Sequence, residues 1–309
     1  MELKNNAGRT GMITNEEIAE ITKSPEKFKL LRLNPFEDTI TINGDNIKFE
    51  PMIVNEHIVG SSDNRQMVIL DTETTGLDFE KDEIIELAFV AVTYNVRWNT
   101  IISIDDVYDG FNQPSQPITK EITDVTGITN EMVAGKHITY DSFKDHLPKD
   151  RYLIVAHNAG FDRKFIDKTY PEMANKPWAD SLTGIDWSNK GYHKVNLETL
   201  MYKLGYFYNA HRAVNDCLAL ASVIHYNEAV QELYTNALKN TLEVEIKLSY
   251  DTKDFAKNLG MKFNGKNKTW IKNYLSEEHW DKDRQYLNEH NVWYTIISKQ
   301  EHTAFSRFK

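Results

Sequence analysis

The alternation of apolar and polar positions becomes regular from Met67 onward. Met67-Val68-Ile69-Leu70 is an unbroken apolar run, which predicts a short strand buried on both faces. Residues 84–92 are apolar on both faces except at Glu86 and predict a second strand, and residues 100–104 predict a third. The short connections between these three suit an antiparallel meander. Helices follow over 118–125, ended by Gly127, and over 140–147, ended by Pro148. Tyr152–Ala156 reads as another core strand and residues 161–170 as a helix behind it. Leu197–Leu204 is helical up to Gly205. Residues 213–230 read as one long helix, with Val214, Leu218, Ala221, Ile224 and Ala229 near helical spacing. Three strands followed by mixed helices and strands point to an α/β domain on a mixed sheet.

The flanks read differently. Before residue 66, helix starts are expected over 15–19 and at Ser24-Pro25-Glu26, where serine is the N-cap and proline the first helical residue. Residues 39–42 alternate, Asn43-Gly44 is a turn signal, and residues 47–54 return as a strand that Pro51 confines to an edge. Residues 1–65 are thus an N-terminal extension with a helix and a hairpin, and 66–235 the main domain. Past a boundary near Asn240, 242–248 alternates cleanly, a helix over 252–259 stops at Gly260, and Asn264-Gly265 marks a hairpin. A helix over 277–288 and a strand over 292–297 complete a small C-terminal α+β module, 241–309.

Composition narrows the classes. The chain has 309 residues, and no uncharged apolar run approaches the roughly 20 residues of a membrane span. The start, MELKNNAGRTG, has no apolar secretory core. The single cysteine, Cys217, excludes an intrachain disulfide framework and a thiolate zinc site. A cytoplasmic protein without a membrane partner is the expectation. A net charge of -10 argues, taken whole, against a nucleic-acid partner. Divided, the charge says something else. Residues 67–240 hold 16 basic and 25 acidic residues, whereas 241–309 hold 12 and 10. The acidic excess lies in the main domain, where it is either a solvated surface or a site that expects cations.

Asp71-Thr72-Glu73 follows the first apolar run. Residues two apart on a strand share a face, about 6–7 Å apart. Two carboxylates so placed raise each other's pKa, and a hard divalent cation such as Mg²⁺ relieves the repulsion. A capped turn with surface acids is the plainer reading of this segment alone. His157-Asn158-Ala159-Gly160-Phe161-Asp162 puts an acid at a helix start, and His211-Arg212-Ala213-Val214-Asn215-Asp216 puts another inside the first turns of an apolar helix. There an unpaired acid is costly to bury. Each alone reads as a helix-end acid or cap.

Together, in this order and spacing, the three segments resemble the motifs of the DEDDh family of 3′–5′ exonucleases, which includes the proofreading subunit of bacterial DNA polymerase III. Val125-Thr126-Gly127-Ile128-Thr129-Asn130-Glu131-Met132 is similar to the segment that links them in that branch. The resemblance covers about 67–230. It implies an RNase H-like fold, a mixed five-stranded sheet flanked by helices. It also implies hydrolysis at DNA 3′ ends, releasing 5′-mononucleotides. Carried over by position, Asp71, Glu73, Asp162 and Asp216 would hold two ions, Mg²⁺ or Mn²⁺, and His211 would be the general base. Thr74, Thr75, Gly76 and Leu77 match the stretch that contacts the terminal nucleotide, with Leu77 as an apolar wedge or, alternatively, a core residue. Asn158 and Phe161 match groove positions. Lys190, His193 and Lys194 lie in a polar loop and are either phosphate contacts or solvated.

The C-terminal module interleaves cations and aromatics. Lys262, Lys266, Lys268, Trp270 and Lys272 suit a stacking platform with phosphate contacts; a hairpin with core aromatics and solvated lysines is the other reading. The pattern from Lys253 resembles a small module appended to bacterial and mobile-element DNA-processing proteins. The expected partners are single-stranded DNA or DNA 3′ ends and a polymerase or other replication protein. RNA in place of DNA is the near alternative, and a non-catalytic nucleic-acid-binding or adaptor protein the far one.

Overall fold

The computed structural model describes residues 32–36 and 60–309 apart from Leu275, together with the backbone of five short strands between Glu2 and Ile53. The helix starts expected over 15–19 and 24–26 lie outside the described residues. The central sheet holds six strands: β1 (Met52–Ile53), β2 (Asn64–Thr74), β3 (Ile84–Asn95), β4 (Thr100–Phe111), β5 (Tyr152–Ala156) and β6 (Trp178–Asp180), in the order β6-β5-β2-β3-β4-β1. Five of them form the expected mixed sheet, and the two-residue β1 adds an edge. β2, β3 and β4 are the antiparallel meander, while β5 runs parallel to both β2 and β6.

Alternation along β2 builds a core on each face. Met67 and Ile69 point to one side and pack with α3 (Ala213–Tyr226) and α2 (Leu197–Leu204). Val68 and Leu70 point to the other and pack with Phe165 and Ile166 of α1 (Ala159–Thr169). Burial on both faces is why these strands read as continuous apolar runs.

Several elements differ from the sequence reading for identifiable reasons. β2 continues through Asp71, Thr72 and Glu73 rather than ending before them, because pairing with β3 persists to Glu73 opposite Glu86. β4 runs to Phe111, its polar Asp105 tied by Thr93 Oγ1, which donates across the pair at 2.7 Å. The long helix expected over 213–230 is two, α3 and α4 (Val230–Leu238), since Glu228 takes a left-handed φ of 50° at the break. The three-residue β6 is too short to read from the sequence.

The N-terminal segment joins the same body. Ile40–Asn43 and Asn46–Phe49 form the expected hairpin. Arg32–Leu33 pairs in parallel with Tyr206–Phe207, Asn34 Oδ1 accepts from Ser222 Oγ of α3, and Phe36 is buried in the core.

Beyond α4, four antiparallel strands, β7 (Thr241–Leu248), β8 (Lys262–Asn264), β9 (Thr269–Tyr274) and β10 (Tyr294–His302), order as β8-β9-β7-β10. They pack with α5 (Lys253–Asn258) and α6 (Glu277–Glu289) around Val244, Ile246, Trp270, Trp280 and Leu287. The tail after β10 returns to the main sheet: Trp178 N–H of β6 donates to Ala304 O at 2.8 Å. Among the described residues, no helix is long and apolar enough to cross a membrane.

Candidate active site

The site forms where β2 ends against α1 and α3. Asp71 and Glu73 project to the same face of β2, and Asp216 enters from the first turn of α3. One carboxylate oxygen from each of the three lies within 4.8 Å of the others. Asp162, in the first turn of α1, lines the same cleft of about 210 Å³, as do His157, Asn158, Phe161 and His211. The main chain and hydroxyl of Thr72 both donate to Asp162 Oδ1, at 3.1 and 2.8 Å. Thr72, between the two β2 acids, thus aims Asp162 at the cluster.

Crowding shows in the proton affinities. Burial first, then Asp162 and Asp216, push Asp71 well above the usual carboxylate range. Glu73 is pushed up to about 8 by burial and by Asp216. Asp162 rises to about 7 and Asp216 to about 6, both chiefly through burial. Tyr208 limits the rise at Asp216, its hydroxyl donating to Oδ1 at 2.9 Å. Four carboxylates converging on one cleft, all with raised proton affinity, are the donor set that hard divalent cations favour.

The two histidines of the cleft are not equivalent. His157 bridges Ser181 Oγ (2.8 Å) and the Val195 carbonyl (2.7 Å), and burial lowers its pKa. Both its ring nitrogens are engaged. His211 is exposed at the rim, held in a left-handed φ of 64° just before α3. It is therefore the one free to meet a water in the cleft.

Three positions missed in the sequence hold this arrangement. Asp180, at the end of β6, accepts the N–H groups of Asn158 (2.9 Å), Ala159 (3.3 Å) and Leu182 (3.0 Å). It fixes the turn in which Asn158 adopts φ 87° and from which α1 starts. Glu86, fully buried on β3, accepts from the Ala213 N–H at 3.1 Å and pairs with Arg212 at 2.9 Å, so it caps α3. Asp109 of β4 stands beside this pair and is pushed up to about 8, by burial and by Glu86. The only sequence signal is Glu86 itself, an acid in an apolar strand.

The substrate-contact expectations separate. Thr74 Oγ1 donates to Gly76 O at 2.6 Å, and Asp82 folds over Gly76 so closely that a Cβ there would collide with it. This turn presents Leu77 at 87% exposure, so core packing is excluded for Leu77. Thr75 is half-buried, its hydroxyl within 3.3 Å of Asp82. Asn158 is exposed and Phe161 half-buried at the cleft. Lys190 pairs with Glu232 at 3.6 Å and binds Asn227 O, while His193 and Lys194 are exposed. In the module, the platform needs correction. Trp270 is 8% exposed and packs in the core, and Lys272 is held by Asp283 at 2.6 Å. Strand alternation turned both inward. Lys262, Lys266 and Lys268 are exposed.

Residues 68–224, half of the chain, match the family described as RNase_T: Exonuclease. The chain is 32% identical over 192 residues to the DNA polymerase III PolC-type of Thermotoga petrophila, covering 56% of this chain and 13% of that one. It is likewise 32% identical over 190 residues to the same protein of Staphylococcus epidermidis, covering 59% and 12%. The chain thus spans about an eighth of the length of these curated relatives. A solved structure titled "Exonuclease X in complex with 5' overhanging duplex DNA" aligns at 24% identity and a TM-score of 0.39, covering 55% of this chain and 92% of that one. Through the matched region, which holds the four acids of the cleft and His211, the chain belongs to the exonuclease family.

Proposed function

We propose that the protein is a divalent-metal-dependent 3′–5′ exonuclease that removes mononucleotides from DNA ends. The observation that carries this is the convergence of Asp71, Glu73 and Asp216 within 4.8 Å, with Asp162 in the same cleft and His211 at its rim. Asp71, Glu73, Asp162 and Asp216 would hold two Mg²⁺ or Mn²⁺ ions. When bound, such ions supply charge neutralisation at the phosphate and lower the pKa of water. His211, exposed at the rim, would take a proton from the attacking water, and a histidine does so near neutral pH. Leu77, standing clear of the core, would pack against the terminal base, with the Thr74–Gly76 turn beside it and Asn158 and Phe161 lining the cleft. The polymerase chains it resembles favour DNA over RNA and a partner in replication. Residues 241–309 fold around a core of their own and are proposed as a separate module.

The test is cleavage of a 5′-labelled single strand with Mg²⁺ by the wild type and by Asp162→Ala and His211→Ala. A ladder shortening from the 3′ end is expected, slowed about 10²–10⁴-fold by loss of the base. Equal ladders from all three proteins would reject the assignment. DNA and RNA strands of one sequence, run side by side, decide the sugar.

A further inference from the structure

A second and larger cavity, of about 860 Å³, opens between the exonuclease sheet and the C-terminal module. It meets the catalytic cleft at Asn158, which lines both. On one wall are Gly160, Lys164 and Asp180, and on the other Lys262, Glu243 and Asn273. Phe263 pairs across the hairpin with Trp270, so its ring shares the core face of the sheet, 5.1 Å from Trp270 between centroids, while Lys262 on the alternate face points to the cavity. Lys164 and Lys262 are exposed, and among the described residues neither is in an ion pair with an acid. Asp180 accepts from the backbone of Asn158, Ala159 and Leu182 and from the Thr183 hydroxyl, and with Glu243 it is an acid that the cations of the walls must offset.

We propose that this cavity is the track of the strand: a single-stranded polynucleotide lies in it with its 3′ end in the catalytic cleft. The proposal rests on the exonuclease reading and extends it to the nucleotides upstream of the scissile bond. Cations on both walls neutralise backbone phosphates. Neutral amides at Asn158 and Asn273 contact sugars or phosphates without reading sequence. Of the module's cation-rich hairpin, the track uses Lys262; Lys272 also lines it but is held by Asp283. Lys266 and Lys268, in the turn, do not line it. An acidic enzyme thereby confines its affinity for nucleic acid to one path.

The experiment is a length series of 5′-labelled strands, from dinucleotide to 16-mer, in DNA and in RNA, with Mg²⁺. For the wild type, kcat/KM is expected to rise with length. In Lys164→Glu/Lys262→Glu the advantage of the 16-mer over the dinucleotide is expected to fall roughly tenfold, as a phosphate contact on each wall becomes a repulsion. The slope of log affinity against log salt is expected to shrink by about one for each phosphate that the variant no longer neutralises. Lys282→Glu, on the far helix of the module, is the control for a change of charge alone. A length effect in DNA, in RNA or in both supports the track and names its strand. A double variant that keeps the full length advantage overturns it. A wild type that degrades no strand at all refutes the exonuclease reading instead, and anisotropy with the 16-mer still tests the groove: equal binding by wild type and double variant overturns it.

Discussion

At the scale of single residues, proton affinity controls the site. Tyr208 donates to Asp216 Oδ1 at 2.9 Å and so favours its ionised form. In Tyr208→Phe the Asp216 carboxyl holds its proton more tightly, and a cation must displace it. One hydrogen bond to a charged group contributes about 1.5–3 kcal/mol. The Mg²⁺ concentration for half-maximal cleavage at pH 7 should therefore rise about tenfold, with less change at pH 8.5. Metal titrations at the two pH values check this, and an unshifted midpoint at pH 7 opposes it. The cluster as a whole has a sign too. Glu73 at about 8, Asp162 at about 7 and Asp216 at about 6 all stand above ordinary carboxylates, near 4. The native state therefore binds more protons than the unfolded chain between these values. Metal-free stability then falls as pH rises from about 4 to about 8. Thermal unfolding in EDTA should give a higher Tm at pH 6 than at pH 8.5, and Mn²⁺ should raise Tm more at the higher pH. At pH 8.5, above the Glu73 value of about 8, Glu73→Gln should raise the metal-free Tm while abolishing cleavage, as one repelling charge is removed.

At the scale of elements, each acid of the site is placed by a strand or helix whose own end is pinned. The α3 helix begins where Glu86 meets Arg212 and the Ala213 N–H. Arg212→Met leaves the fully buried Glu86 facing Asp109 without its cation. Breaking a buried pair from one side costs about 3–5 kcal/mol, which in a chain of this size lowers Tm by roughly 10 °C. Calorimetry at pH 7 measures it, and a change below about 2–3 °C would contradict the capping role. The balance of local pattern and tertiary pairing also explains what is and is not legible in the sequence. Tyr152–Ala156 and Leu197–Leu204 read correctly because local apolar pattern and a glycine stop determine them. Asp71, Glu73, Asp162, His211 and Asp216 are recognisable because three short motifs carry them. Asp180 is not, for its role depends on β6, which is three residues long and is set by the parallel neighbour Tyr152–Ala156 and by the returning tail. The inward turn of Trp270 is one of two readings that the hairpin allows, and composition cannot choose between them, because it gives aromatic and basic content but not which side of a strand it occupies; the pairing of Lys272 with Asp283 has no sequence signal.

At the scale of the molecule, the small module is held to the catalytic body through its tail, on which two buried arginines converge. Arg163 follows Asp162 in α1 and is fully buried. Its guanidinium donates to the carbonyls of Arg307 (2.6 Å), Phe305 (2.6 Å) and Ala174 (3.3 Å), with Asp167 at 3.2 Å. From the other side Arg307 donates to Thr241 Oγ1 at 3.1 Å and to the carbonyls of Asn236 and Lys239. The two arginines thus clamp the tail between α1 and the start of β7, and the tail in turn pairs with the edge strand β6. Arg163→Met keeps most of the side chain's volume but leaves several buried carbonyls without donors, each a loss of about 1–3 kcal/mol. Arg163→Lys does not restore them, since a single ammonium cannot span acceptors that a planar fork reaches on two edges. Both variants should release the tail. Limited proteolysis followed by mass spectrometry should then find cuts between His302 and Lys309 that the wild type resists, and β6 amides should exchange faster with solvent. A tail that stays protected in Arg163→Met would place the attachment in Arg307 and the β7 contacts instead, and Arg307→Met read in the same assay separates the two.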